Sequence, residues 1–150
     1  MTPRLAASTL VLALLATSCA LARSPSADER VRVESALRGQ GFVGWGKIEM
    51  DDGLWEVDNA SRGNNDARDI RLTPDDLTVI DASEGDRHAT GQEQAAIDQA
   101  LRGQGFTGFN TVSLDDGVWE VDDARGADGT LYDLKLERHS LRILHRDRDN

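Results

Sequence analysis

Apolar residues fall along this chain in two rhythms, one helical and one alternating, and the pair of rhythms occurs twice. Val33, Ala36 and Leu37 are spaced i, i+3 and i+4, as are Ile97, Ala100 and Leu101, which places each trio on one stripe of an amphipathic helix. Ser26-x-x-Glu29 and Thr90-x-x-Glu93 precede these stripes and have the form of a capping box, in which the hydroxyl accepts from a first-turn amide and the glutamate reaches back. Gly39 and Gly103 are the expected helix stops, since glycine takes the left-handed conformation without steric cost. The period then changes to two. Asp52-Gly53 is a favoured two-residue hairpin turn, and it sets Met50 opposite Trp55 and Ile48 opposite Val57, all four on one face. The second occurrence independently sets Leu114 opposite Trp119 and Val112 opposite Val121. Further strands are expected over 68–72 and 77–80, echoed over 132–136 and 141–144.

The echo is an internal duplication. Ala36-Leu37-Arg38-Gly39-Gln40-Gly41-Phe42 recurs 64 positions later as residues 100–106, and Asp51-Asp52-Gly53-x-Trp55-Glu56-Val57-Asp58 recurs as residues 115–122. The offset holds to the last strand, where Leu77 and Val79 match Leu141 and Ile143. Two copies are too few for a solenoid. The expected fold is therefore α+β: two tandem units, 26–81 and 90–145, each an N-terminal helix packed on a three- to four-stranded antiparallel sheet, joined by a connector over 82–89. A unit this short is marginal alone, so the two are expected to touch.

The first 22 residues stand outside the duplication. A basic start at Arg4, an apolar run from Leu5 to Thr17 and a small-residue exit at Ala20-Leu21-Ala22 form the layout of a secretory signal. Cleavage after Ala22 would remove Cys19, the single cysteine. Ala16-Thr17-Ser18-Cys19 also resembles a lipoprotein box, in which Cys19 would instead be acylated, so the exported protein is expected to be periplasmic or secreted, with lipid anchoring as the alternative. Neither route leaves a cysteine pair, which excludes an intrachain disulfide. The formal charge of −10 becomes −11 without Arg4, with 16 basic against 27 acidic side chains. Nucleic acid and anionic membrane surfaces are poor partners for such a chain.

With a leading helix, and with Asp69-Ile70-Arg71-Leu72 or Asp133-Leu134-Lys135-Leu136 following, each D-D-G-x-W-E-V block resembles a PepSY domain. The turns before the last expected strand, Thr73-Pro74-Asp75-Asp76 and Glu137-Arg138-His139-Ser140, depart from the Asp-Pro and glycine pattern common in that family. The resemblance implies a helix-on-sheet fold and a role like that of protease propeptides, where PepSY domains have been proposed to inhibit, or like free-standing exported proteins. It also implies similarity at fold level to the β-lactamase inhibitor protein, a tandem pair of such units. A fold alone does not fix function.

The candidate surfaces follow from the register. Lys47, Glu49, Glu56, Asp58, Asp69 and Arg71 share the polar sheet face of the first unit, and Glu120, Asp122, Asp133 and Lys135 that of the second. Glu49 opposite Glu56 is an unfavourable like-charged pair, consistent with a surface that awaits a basic partner. Trp55 and Trp119 belong to the core, while Trp45 and Phe109, at matching positions beside glycines, are the candidates for an aromatic contact. The partner-binding set is thus Trp45, Phe109, Glu49, Glu56, Asp58, Glu120 and Asp122. The acidic turns do not have EF-hand spacing, His88, His139 and His145 lack the company a zinc site needs, and no nucleophile elbow, zinc-protease motif or phosphate-cradling loop is present. No catalytic residue, metal or cofactor is expected. The function expected is an exported, non-catalytic binding module for a protein or peptide of the envelope or exterior, a protease among the candidates. The alternative is a small-ligand or divalent-cation binder of the cell envelope.

Overall fold

The computed structural model describes residues 22–149. Cys19 and all but the last residue of the expected export signal lie outside them. Two helices, α1 (Ala27–Gly39) and α2 (Gly91–Gly103), form where the capping boxes place them. Ser26 and Thr90 accept from the amides of Glu29 and Glu93, whose carboxylates return to the Ser26 and Thr90 amides at 2.8 Å in each case. The helix stops need one correction. Gly39 and Gly103 are the last helical residues, and the left-handed residues are Gly41 (φ 87°) and Gly105 (φ 93°). After α1 the Gly41 amide donates to Arg38 and the Phe42 amide to Leu37, both at 3.0 Å, a Schellman closure that sends Phe42 into the core.

In the N-terminal half, β1 (Ile48–Asp51), β2 (Leu54–Ala60) and β3 (Arg68–Leu72) form an antiparallel sheet in the order β1-β2-β3. The register sets Ile48 on Val57 and Met50 on Trp55, as the alternation requires. In the C-terminal half, β4 (Arg87–His88), β5 (Phe106–Gly108), β6 (Thr111–Asp115), β7 (Val118–Gly126), β8 (Leu131–Glu137) and β9 (Ile143–Arg148) make a second sheet. Its order is β4-β6-β7-β8-β9, with β5 beside β7, and it sets Val112 on Val121 and Leu114 on Trp119. Both hairpins turn on an Asp-Gly pair with positive φ at each residue, 44° and 77° at Asp52-Gly53 and 45° and 83° at Asp116-Gly117. That is the twist-matched two-residue turn. Past each tryptophan the long strand bulges at a left-handed residue, Asn59 or Asp123. The freed amide there donates to the carboxylate of Asp69 (2.9 Å) or Asp133 (3.2 Å).

Two hydrophobic clusters result. One gathers Val33 and Leu37 of α1 with Phe42, Ile48, Trp55, Val57, Ile70 and Leu72; the other gathers Ile97 and Leu101 of α2 with Phe106, Val112, Leu114, Trp119, Val121, Leu134 and Leu136. Trp55 and Trp119 are each 3 % exposed, so both belong to the core.

The fourth strands differ from expectation. Over 77–80 there is no strand, only a bridge from Val79 to Leu72, and the strand expected over 141–144 runs instead from Ile143 to Arg148. Leu77 and Leu141 both sit at φ 56°, a conformation that takes a leucine out of strand geometry and delays any pairing by two residues. Beyond that point the second half continues in extended form. The first turns away, because the Asp81 carboxylate accepts from the Ser83 amide at 3.0 Å and begins an Asx-type turn. β4 lies within the stretch expected to be connector and pairs with β6.

Candidate functional site

The polar sheet faces carry most of the residues singled out from the sequence, and their charges are largely paired. Glu49 and Glu56 stand opposite each other as expected, but their repulsion is relieved because Lys47 reaches Glu49 at 2.5 Å and Arg71 reaches Glu56 at 2.9 Å. Arg71 also reaches Asp116, at the tip of the other half's hairpin, at 3.0 Å. The C-terminal half does the same thing in reverse. Lys135 binds Glu120 at 2.5 Å and lies 3.9 Å from Asp52, at the tip of the first hairpin.

Glycine at the tips makes that approach possible. A Cβ on Gly53 would collide with the His145 ring, and one on Gly117 with the Asp81 carbonyl. Asp52 and Asp116, Gly53 and Gly117, Arg71 and Lys135, Asp81 and His145 are each 64 positions apart. The contacts between the halves are thus reciprocal, each hairpin tip resting on the other half's sheet. Arg142 adds contacts to Asp75 (2.7 Å) and Asp76 (3.6 Å), and Arg138 pairs with Glu84.

These contacts frame two equivalent open grooves. One, of about 290 Å³, is walled by Glu56, Asp58, Asp69, Arg71, Ala82 and Asp116. The other, of about 230 Å³, includes Asp52, Glu120, Asp122, Lys135, His145 and Asp147 in its wall. A third cleft of about 310 Å³ lies where the two halves meet, between Thr73, Thr78 and Ile80 on one side and Glu137, Arg142 and Leu144 on the other. Carboxylates outnumber cations in both grooves. The crowding is felt by Asp115 on β6, whose pKa is raised by burial first and then by repulsion from Glu120, Asp86 and Asp116. Among the described residues, no group of three or more His, Cys, Asp or Glu is placed to hold a metal ion, and no helix is long and apolar enough to cross a membrane.

The remaining candidates are placed as follows. Asp58 is half-buried and Asp122 exposed, the latter accepting from the Thr111 hydroxyl. Trp45 and Phe109 are half-buried rather than fully exposed, each packed against its own half's core, and the Arg38 guanidinium lies 5.2 Å from the Trp45 ring centre. The structure therefore brings Glu56 and Asp58 together in one groove and Glu120 and Asp122 in the other. Glu49, Trp45 and Phe109 line neither.

Two pairs of cations have roles that the sequence did not assign: Arg71 and Lys135, placed on the polar faces only, and Arg23 and Arg87, not singled out at all. Arg71 and Lys135 bind across the halves, and their spacing of 64 with matching hairpin aspartates was the available signal. Arg23 and Arg87 precede the capping boxes in a repeated Arg-x-x-(Ser/Thr)-x-x-Glu pattern. Each clamps the capping glutamate, at 2.8 Å for Arg23 on Glu29 and 2.7 Å for Arg87 on Glu93. Each also stacks over its half's buried indole, at 5.5 Å for Trp55 and 5.4 Å for Trp119.

Residues 5–83 match the family model described as "Peptidase propeptide and YPEB domain". No curated protein and no solved structure matches the chain.

Proposed function

The chain belongs to the peptidase propeptide and YPEB domain family, and on that premise we propose that it is an exported, non-catalytic binding module of two tandem PepSY-type units. Its partner is a protein or peptide of the envelope or exterior, a protease being the first candidate. The family match ends at residue 83, just past the first unit, and the second unit rests on the residue-for-residue repeat together with the reciprocal hairpin contacts. Export rests on the signal-like layout of residues 1–22.

The observation that carries the binding reading is the pair of equivalent acidic grooves on the polar sheet faces. Paired acidic surfaces of this kind complement a basic protein surface and speed its encounter. Asp58 and Asp122 contribute charge to the two grooves with no cation bound to them among the described residues.

The test is titration of the protein from residue 23 onward into a secreted metalloprotease cleaving a fluorogenic peptide, with size-exclusion chromatography of the mixture. Slower cleavage and co-elution are expected, both weakened by Asp58→Lys with Asp122→Lys. Unchanged cleavage with separate elution would remove the protease as partner.

A further inference from the structure

The two halves differ at one sheet edge. In the C-terminal half, β9 covers the outer edge of β8, setting Asp133 on Asp147 and Lys135 on His145. The corresponding edge of β3 is covered only at one end, by the Leu72–Val79 bridge and by the Ile80 amide donating to the Arg71 carbonyl at 2.9 Å. The chain then leaves through the Asp81–Ser83 turn and Gly85, at φ 72°. Backbone groups on an antiparallel strand alternate in direction, so the amide and carbonyl of Asp69 face the same way as the Arg71 carbonyl. Among the described residues no strand pairs with Asp69 on that side. Arg68 is exposed there, whereas its counterpart Tyr132 is half-buried beneath the Arg146 guanidinium, 4.1 Å from the ring centre.

The same molecule thus shows an edge with a strand seated on it and an equivalent edge without one. The bare edge opens onto the groove walled by Glu56, Asp58, Asp69 and Asp116, with Arg71 its one cation. The chain's own Asp81 fills the place equivalent to His145, so an added strand would begin beyond it and direct alternate side chains into that groove from the position that Asp147 occupies over the other groove, opposite Asp133.

The geometry points to the outer edge of β3 at Asp69 as a strand-addition site for an extended polypeptide segment carrying lysine or arginine at its groove-facing positions. Main-chain hydrogen bonds would supply the pairing, and the groove carboxylates the preference for basic residues. This deepens the binding function proposed above and rests on it for the identity of the partner as a polypeptide. Among the described residues the outer edge of β9 is also unpaired, but it carries Arg146 and Arg148, the kind of charged residues that keep an edge from accepting a further strand.

The test uses the whole chain from residue 23 and a blocked synthetic copy of residues 146–149, the part of that strand whose place beside β3 is open, bearing Asp147→Lys and Asp149→Lys. Amide exchange is followed by NMR with and without the peptide. In the free protein the Asp69 amide should exchange fast and the Asp133 amide slowly, and the peptide should slow Asp69. A peptide N-methylated at alternate backbone positions should give no protection. Asp58→Lys should weaken binding by about threefold or more, the effect of a single partly screened charge pair.

Protection at Arg146 and Arg148 instead of Asp69, equal binding of the N-methylated peptide, or no protection anywhere would overturn the site. So would Asp69 already protected in a concentration-dependent dimer, which would mean that a second copy fills the edge. The two proposals fail separately: peptide binding at Asp69 without any effect on the protease would remove only the protease reading. Protease inhibition that excess peptide does not relieve would remove only the edge.

Discussion

At the scale of single residues, the arginine that precedes each helix ties three features together. Arg87 holds Glu93, Glu93 closes the cap on α2, and the guanidinium covers the Trp119 ring. The Glu93 carboxyl is lowered from the ordinary 4.5 to about 2, chiefly by the Arg87 hydrogen bonds and then by those of Thr90, and Glu29 is lowered to about 2 by Arg23 and Ser26 in the same way. A carboxyl depressed on folding contributes stability that is fully present above its unfolded pKa. For both glutamates that contribution should be lost as the pH falls from about 4.5 toward about 2. Melting temperatures measured between pH 6 and pH 2.5 should therefore drop more steeply for the native chain than for Glu29→Gln with Glu93→Gln. Parallel curves would show that the clamps do not couple to folding. For the indole itself, Trp119→Ala removes a side chain that is 3 % exposed and should cost about 3–5 kcal/mol in denaturant unfolding.

At the scale of elements, a cap is a local device, and its removal should be felt locally. Thr90→Ala deletes the hydroxyl that accepts from the Glu93 amide and should cost about 1 kcal/mol, measurable as a lower denaturation midpoint with an unchanged slope. Both helices, their N-caps, the hairpin turns and the pairing of β1 with β2 and of β6 with β7 were legible because each depends on residues close in sequence. Capping boxes and Asp-Gly turns state their geometry within four residues, and alternation then fixes which side chains face inward.

The fourth strands were less legible. Leu77 and Leu141 take a left-handed conformation that leucine does not advertise, and β4 depends on a partner more than twenty residues away. The contrast after Ile80 was visible in composition, however. Asp81-Ala82-Ser83-Glu84-Gly85 is turn-forming, whereas His145-Arg146-Asp147-Arg148 can stay extended.

At the scale of the whole molecule, the two halves meet through contacts that come in exchanged pairs, the pattern of a two-fold interface folded into one chain. The candidate residues on the polar faces were legible as a surface. Their pairing was not, because which hairpin tip lies over which sheet depends on how the halves dock and leaves no periodic trace. The docking itself is open to a quantitative test. Arg71 bridges Glu56 and Asp116 while remaining about a quarter exposed, at 27 %, so water screens the pair and its worth is modest. A double-mutant cycle of Arg71→Met with Asp116→Asn should give a coupling of about 0.5 kcal/mol. The Lys135–Asp52 pair, longer at 3.9 Å, should give less, and both couplings should shrink in 1 M salt, where the screening length falls to about 3 Å. Gly117→Ala acts on the same interface through sterics alone, since its Cβ would meet the Asp81 backbone from a residue already at positive φ. It should therefore cost more than either ion pair and be insensitive to salt. No coupling between Arg71 and Asp116, or a Gly117→Ala protein as stable as the native chain, would mean that the hairpin tips do not rest on the opposite sheets in solution.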